Sequence, residues 1–294
     1  MTERRAPAPF ALSTQAPRLT PPAAATVLVN VVVNLEHWTL DQPMPRAALP
    51  APHGVSVVPD VANHSWVLYG LRSGLPRLAE ALAPLGSAVT VALNADVIDH
   101  YPQVADLIDE RGWEVVAHGV RQRSIQSYDE EEPVVAEAVS RIRQRFGAGG
   151  WPRGWLSPGM NQTDESLRIM REHGLEFNHD WMIDDRPVWL TTPAGPILGL
   201  PYTLTLNDVT TYQIGLQADG ALADRTLRSL ERHRVEGAVN PVVMPIGLHP
   251  HIVGVAHRIG EIDEIVAAVV GAPDVAAVTS SQIHDWFVGQ VPAP

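Results

Sequence analysis

Thr26-Val27-Leu28-Val29-Asn30-Val31-Val32-Val33-Asn34-Leu35-Glu36-His37-Trp38 is the stretch that decides the fold. It is apolar from Val27 to Val33 except for Asn30, then turns polar at Asn34, Glu36 and His37. A short Val/Leu run without alternation predicts a strand covered on both faces, as in a parallel sheet wrapped by helices. The pattern recurs where Glu114 to Ala117 runs into His118-Gly119, and where Val242 to Leu248 runs into His249-Pro250-His251. In barrels and open sheets of this class the reacting groups sit at the carboxyl ends of the strands, held rigidly while the loops shape a pocket. Glu36, His118 and His249 are therefore the first candidates for an active site.

Strand and helix patterns alternate through the rest of the chain. Helices are expected near Gly74 to Leu85, Val97 to Arg111, Glu130 to Phe146, Leu222 to Val235, Ile259 to Val270 and Gln282 to Val288, with another capped by Thr163 and reaching His173. Strands are expected at Ala88 to Leu93, Gly154 to Ser157, Leu175 to Asn178, Val188 to Leu190, Ile197 to Pro201, Val242 to Leu248 and Ala276 to Thr279. With 294 residues, 45% of them hydrophobic, the chain can bury one large core, and a single α/β barrel over 26–294 fits its length. Residues 1–25, rich in Pro and Ala, form an extended arm. That arm and the long loop from Thr39 to Trp66, with its Pro-rich stretch Pro43 to Pro52, are expected to cover the carboxyl end of the barrel.

A net charge of −12 disfavours nucleic acid or an anionic membrane as partner and favours a small molecule. With no cysteine, any metal must be held by His and carboxylates. Arg4 and Arg5 precede no apolar stretch long enough for a signal peptide, and no later segment resembles a membrane span, so a cytoplasmic protein is expected. Gly147-Ala148-Gly149-Gly150 follows a helix where a nucleotide loop would follow a strand, and reads as a turn. No Gly-x-Ser-x-Gly elbow occurs. The chemistry left is that of a carboxylate base, Glu36, facing a histidine that stabilises an oxyanion or protonates a leaving nitrogen.

Several ordered motifs resemble the polysaccharide deacetylase superfamily, also called the NodB-homology or carbohydrate esterase 4 group. They are Val31 to Trp38, Val115 to Arg121, Gly154 to Gly174, Asp180 to Trp189, Pro201 to Asp208 and Ile246 to Arg258. Within it the chain is most similar to the cofactor-independent allantoinase and cyclic imide hydrolase branch. The marks of that branch are Tyr69-Gly70-x-Arg72-x-Gly74, Ser157-Pro158, Asp184-Asp185-x-Pro187-x-Trp189, Pro201-Tyr202-Thr203-Leu204-x-x-Asn207-Asp208 and Ile246-Gly247-Leu248-His249. The resemblance implies a distorted (β/α) barrel, hydrolysis of an amide-type C–N bond in a small cyclic amide, imide or ureide, and a homodimer or homotetramer. It also implies substrate-binding roles for His37, Trp189, Tyr202, Asn207, Asp208 and Arg258.

The departures are as informative as the matches. Sugar deacetylases pair two aspartates in the first motif, where this chain has Glu36-His37, and a His-x-x-x-His in the second, where it has His118 and Gln122. A glutamine carbonyl is a poorer zinc ligand than imidazole, so no cofactor is expected; were a divalent metal such as zinc bound, His37 and His118 would hold it. His37 is also open to reading as a solvent-facing loop residue or as a group supporting the site from behind. His251 and His257 are expected at the rim, and His53, His64, His100, His173, His179, His233 and His284 are given no role. Trp38, Trp66, Trp181 and Trp189 suit core or pocket walls equally. A metal-dependent carbohydrate N-deacetylase and an inactive ligand-binding member of the same fold are the rival readings.

Overall fold

Strand β1 (Val27–Leu35), buried along its whole length, is the centre of the sheet. The computed structural model describes residues 6–51, 54–55 and 57–294; Arg4, Arg5, Pro52, His53 and Ser56 lie outside the described residues. β1 pairs in parallel with β8 (Val242–Leu248) along one edge. Its other edge is shared by β9 (Val275–Ala277), beside Val27 to Val29, and β2 (Val89–Leu93), beside Val31 to Leu35. Beyond β2 the parallel sheet continues through β3 (Glu114–Ala117), β4 (Gly154–Trp155), β5 (Phe177–Asn178) and β7 (Ile197–Gly199), and it ends on antiparallel β6 (Val188–Leu190). The far side then curls back to β8 through irregular chain. The Val243 N–H donates to the Asp185 carbonyl at 2.8 Å, the Gly247 N–H to the Leu206 carbonyl at 2.9 Å, and Asn207 forms a parallel bridge with Gly247. The result is an α/β fold of the expected class, a distorted (β/α) barrel.

Both faces of β1 are apolar, but they are not equivalent. Side chains alternate across a strand, and Val27, Val29, Val31, Val33 and Leu35 pack outward in the cluster with the helices, while Leu28 and Val32 pack inward with Ala92, Val116, Phe177, Leu198 and Val243. Asn30 and Asn34 share the inward parity. Asn30 donates to Thr90 Oγ1 at 3.2 Å and the Val278 carbonyl at 3.0 Å, and Asn34 to Tyr202 Oη and the Leu248 carbonyl, each at 3.2 Å. Every buried amide in this interior is therefore partnered by the barrel wall, as low polarity demands.

The helical layer departs from expectation in three places. The loop after β1 ends at Asp60, not Trp66, because Asp60 caps helix α1 (Val61–Tyr69) by accepting the Asn63 N–H at 3.1 Å. A π turn at Gly70–Gly74 joins α1 to α2 (Leu75–Ala81). Its glycines let the rod lie against the chain after β8: a Cβ on Gly70 would stand 2.5 Å from His251 Cβ. Pro102 breaks the expected helix over 97–111 into α3 (Asp96–His100) and α4 (Pro102–Arg111). Then come α5 (Glu132–Phe146), α6 (Ser166–Glu172), α7 (Ala221–Gly237), α8 (Ile259–Gly271) and α9 (Ser280–Val288). α6 begins three residues after Thr163, whose hydroxyl instead accepts the Glu165 N–H at 3.1 Å.

The amino-terminal arm lies at the opposite end from the one expected. Leu19 is buried with Ile283 and Phe287, and its N–H donates to Asn240 Oδ1 at 2.9 Å, just before β8 begins. Asn240 Nδ2 donates to the Pro17 carbonyl at 3.1 Å, and Trp286 Nε1 to the Thr20 carbonyl at 2.7 Å. The arm thus covers the amino end of the barrel, drawn there by the apolar Leu19 contact, and the mouth is left to the loop after β1. Among the described residues no helix is long and apolar enough to cross a membrane.

Candidate active site

Strand parity carries Glu36, His118 and His249 inward just past the ends of β1, β3 and β8. All three are buried and line one cavity of about 540 Å³. Glu36 Oε2 accepts the Trp38 indole N–H at 2.7 Å, and its Oε1 stands 3.5 Å from His249 Nε2 and 3.8 Å from His118 Nε2. Each imidazole is fixed from behind. His249 gives its Nδ1–H to Asp208 Oδ1 at 2.7 Å and its backbone N–H to Asp208 Oδ2 at 2.5 Å. His118 gives its Nδ1–H to the Leu156 carbonyl at 2.6 Å, which leaves its buried Nε2 without a hydrogen-bond partner. A carbonyl can only accept, so in neutral His118 that Nε2 carries the lone pair.

The charges follow from this arrangement. Burial alone would raise the Glu36 carboxyl; the His249 N–H and the charge on His249 outweigh it and hold the group well below the usual carboxylate range. Burial pulls the His249 imidazolium down, but the Asp208 carboxylate and its hydrogen bond push it up to about 10, so His249 is a cation at neutral pH. Asp208, fully buried, is itself raised by burial and held back by His249. His251 is driven down to about 3 by burial and by the charge on His249, and is neutral.

His251 is no rim residue: it is buried in the cavity wall, edge-on to Trp66 at 4.5 Å and to Trp38 at 5.8 Å. Tyr202 and Asn207 line the opposite side, with Asn34 beneath. Ser157 also lines it, its hydroxyl donating to Asp180 Oδ2 at 2.7 Å. The loop after β1 adds Gln42, Pro43, Pro45 and Arg46.

The fold has counterparts among solved structures. PuuE allantoinase superposes with a TM-score of 0.85 at 22% identity, covering 96% of each chain. Structures assigned as polysaccharide deacetylases from Pseudomonas aeruginosa PAO1 and Mycobacterium smegmatis superpose at 0.81 and 0.78, with 23% and 21% identity, over 95% of this chain and 96% of theirs. The chain has the polysaccharide deacetylase fold. No family model and no curated protein sequence matches it.

On that fold a deacetylase-type metal would sit among residues 37, 118 and 122, and these residues do not fit one. Outward parity turns His37 away from the cavity: its N–H donates to Asn94 Oδ1 at 2.9 Å, its Nδ1 meets Tyr101 Oη at 3.1 Å, and its ring stacks on His100 at 4.2 Å. Burial pushes it down to about 4. His37 therefore neither lines the cavity nor joins His118. His37, Asp96 and His100 do bring ligand atoms within 4.8 Å of one another. Two near-parallel rings, 11° apart, cannot both aim an in-plane lone pair at one ion, and Asp96 is already gripped by Arg141 at 2.8 Å and Arg121 at 3.0 Å.

Two other expected substrate contacts also fall outside the cavity. Trp189 lies on antiparallel β6 and donates its indole N–H to the Val291 carbonyl at 3.1 Å, near the chain terminus. Arg258 binds Asp219 Oδ1 at 2.7 Å and covers the Tyr212 ring at 4.2 Å. His257 is exposed and does not line the cavity. Asp208 acts through His249 and does not line the cavity. Asn34 was readable from its even spacing to Glu36; Arg46, in an irregular loop, had no signal.

Proposed function

We propose that this chain is a hydrolase that opens the ring of a small cyclic amide, imide or ureide at a C–N bond. One observation carries the reading: a buried carboxylate between two imidazole Nε2 atoms at 3.5 and 3.8 Å, one imidazole made a cation by a carboxylate behind it. Glu36 takes a proton from water, and the hydroxide oxygen attacks the ring carbonyl carbon. The carbonyl π electrons move onto oxygen, where the His249 Nε2–H meets the new charge. Collapse breaks the C–N bond, and the nitrogen leaves with the proton that Glu36 took. The unpartnered His118 Nε2 accepts the water's second hydrogen and aims the attack.

The pKa directions suit these roles. A carboxyl held low is ionised at neutral pH and so free to accept a proton, and an imidazolium held high keeps its proton and acts by hydrogen bonding. The cavity volume is in the range of small-molecule sites, roughly 300–1,000 Å³, and the loop after β1 narrows its mouth. PuuE allantoinase, on the same fold, is one precedent for an allantoinase on this scaffold. A homo-oligomer belongs to the same proposal; exposed Ile214, beside the mouth, and Leu216 are apolar surface such an interface would cover.

The test is a product assay on hydantoin, allantoin, succinimide and an acetylated chito-oligosaccharide, run with wild type and Glu36→Gln. Ring opening of at least one of the three rings is expected, with a loss of roughly 10²- to 10⁴-fold in kcat for the variant. Acetate release from the oligosaccharide with no ring opened would move the assignment to a carbohydrate deacetylase. A folded variant retaining more than about a tenth of kcat would remove Glu36 as the base.

A further inference from the structure

Arg46 forms part of the cavity wall from the loop after β1, and its place there is fixed. The N–H groups of Ala48 and Leu49 both donate to Asn63 Oδ1, at 2.8 and 3.0 Å, and Asn63 Nδ2 returns a bond to the Leu49 carbonyl at 3.0 Å. Asn63 is buried on α1 and is bonded to Asp60, so the loop is clamped two residues beyond Arg46. Arg46 Nη1 is buried and has no hydrogen-bond partner among the described residues. Leaving a guanidinium nitrogen dry and unpaired is costly unless a ligand completes it. Glu36 and Asp208 act on Arg46 only as charges at a distance, and burial lowers its pKa.

The wall carries two guanidinium groups with no carboxylate partner among the described residues. Arg46, Arg121, Arg123 and the His249 cation line it, and since the Glu36 and Asp208 carboxylates both face His249, neither pairs with Arg46 or Arg123. Arg121 is paired to Asp96, whereas among the described residues Arg123 bonds only Ser127 and covers the Tyr128 ring at 4.3 Å. Such a wall in a chain of net charge −12 selects against its own surroundings and for an anion.

Resting on the hydrolase reading above, we infer that the substrate carries a carboxylate besides the amide that is cleaved, and that Arg46 binds it. A planar fork of N–H donors matches a carboxylate two-on-two. Its partner on the substrate is thus an anionic side group, and the ring carbonyl is left to His249.

Succinamate and its neutral isostere succinamide, which differ only by carboxylate against carboxamide, test this by calorimetric titration of wild type, Arg46→Gln and Arg46→Lys. Wild type should bind succinamate roughly ten- to a hundredfold tighter than succinamide, Arg46→Gln should bring the ratio near one, and Arg46→Lys should keep part of it. A wild type that prefers neither probe, or binds neither, overturns the inference, as does a preference that survives Arg46→Gln. Ring opening of neutral hydantoin is read separately by its product, so the hydrolase reading stands or falls independently of this ratio.

Discussion

Asp208→Asn perturbs the site at one point, since it keeps the side chain's volume and removes only the charge behind His249. Asp208 is fully buried and takes both the Nδ1–H and the backbone N–H of His249. Burial pulls His249 down, and the Asp208 charge is the largest influence raising it to about 10. With an amide in that place the burial remains and the largest opposing charge is gone, leaving only Glu36 to raise His249, so His249 should titrate well below about 10. A fall to its ordinary 6.5 would leave roughly one molecule in ten protonated at about pH 7.5. Loss of the cation alone should therefore cut kcat at least about tenfold, and misalignment of the ring should extend the loss toward roughly 10³-fold. The assay is kcat against pH on whichever ring the wild type opens. Wild type should stay level until its alkaline limb near pH 10, while the variant should recover as pH falls toward about 6. Stability gives a second readout. A group whose folded pKa is raised stabilises fully below its unfolded value and loses that contribution as pH rises through the folded one. Wild type should therefore lose stability between about pH 6.5 and about pH 10, and the variant should lose less. An alkaline limb that stays near pH 10 in the variant, or a kcat above about half of wild type at pH 7.5, would refute the role given to Asp208.

Activity should survive exhaustive chelation, because His37 is turned out of the cavity and Gln122 stands where a second imidazole would be needed; loss to a chelator with recovery on added zinc would show otherwise. Deleting residues 1–22 should lower unfolding free energy by about 3–6 kcal/mol, from the lost Leu19 burial and the unpaired Asn240, while kcat/KM on the ring substrate stays within about twofold. A truncated protein that gained activity on chito-oligosaccharide would place the arm at the mouth after all.

The strand ends were legible because a parallel strand covered on both faces must be apolar, so the first polar residue after each run marks the carboxyl edge. The same covering hid the parity. Valines occupy both faces of β1, and only Asn30, Asn34 and Glu36, all at even spacing, betray which face lines the barrel. That spacing puts His37 on the other face, where it stacks on His100. Trp189 and Arg258 depend on how the chain closes the barrel, which no local pattern encodes: β6 runs antiparallel, so its residues lead to the wrong end for the cavity. Helix α1 was obscured by the prolines before it, although Asp60 and Asn63 already formed its cap. The arm was misplaced because a lone apolar residue, Leu19, decides where it docks.

His118 and His249 look equivalent in the sequence, each the first polar residue after an apolar run. What separates them is the atom behind Nδ1. A neutral carbonyl, Leu156, fixes the tautomer of His118 without adding charge, so its Nε2 faces the cavity as an acceptor. A buried carboxylate, Asp208, both fixes His249 and keeps it protonated, so its Nε2 faces the same cavity as a donor. Glu36 sits between an acceptor and a donor on one oxygen and is bonded by Trp38 on the other. In the proposed mechanism a water bound there has its hydrogens claimed by Glu36 and His118, which leaves an oxygen lone pair free, while the His249 cation beside Glu36 waits where charge would appear on a substrate. In that mechanism the polarity of the site, and with it the direction of attack, is thus set by the two acceptors behind Nδ1, the Leu156 carbonyl and the Asp208 carboxylate.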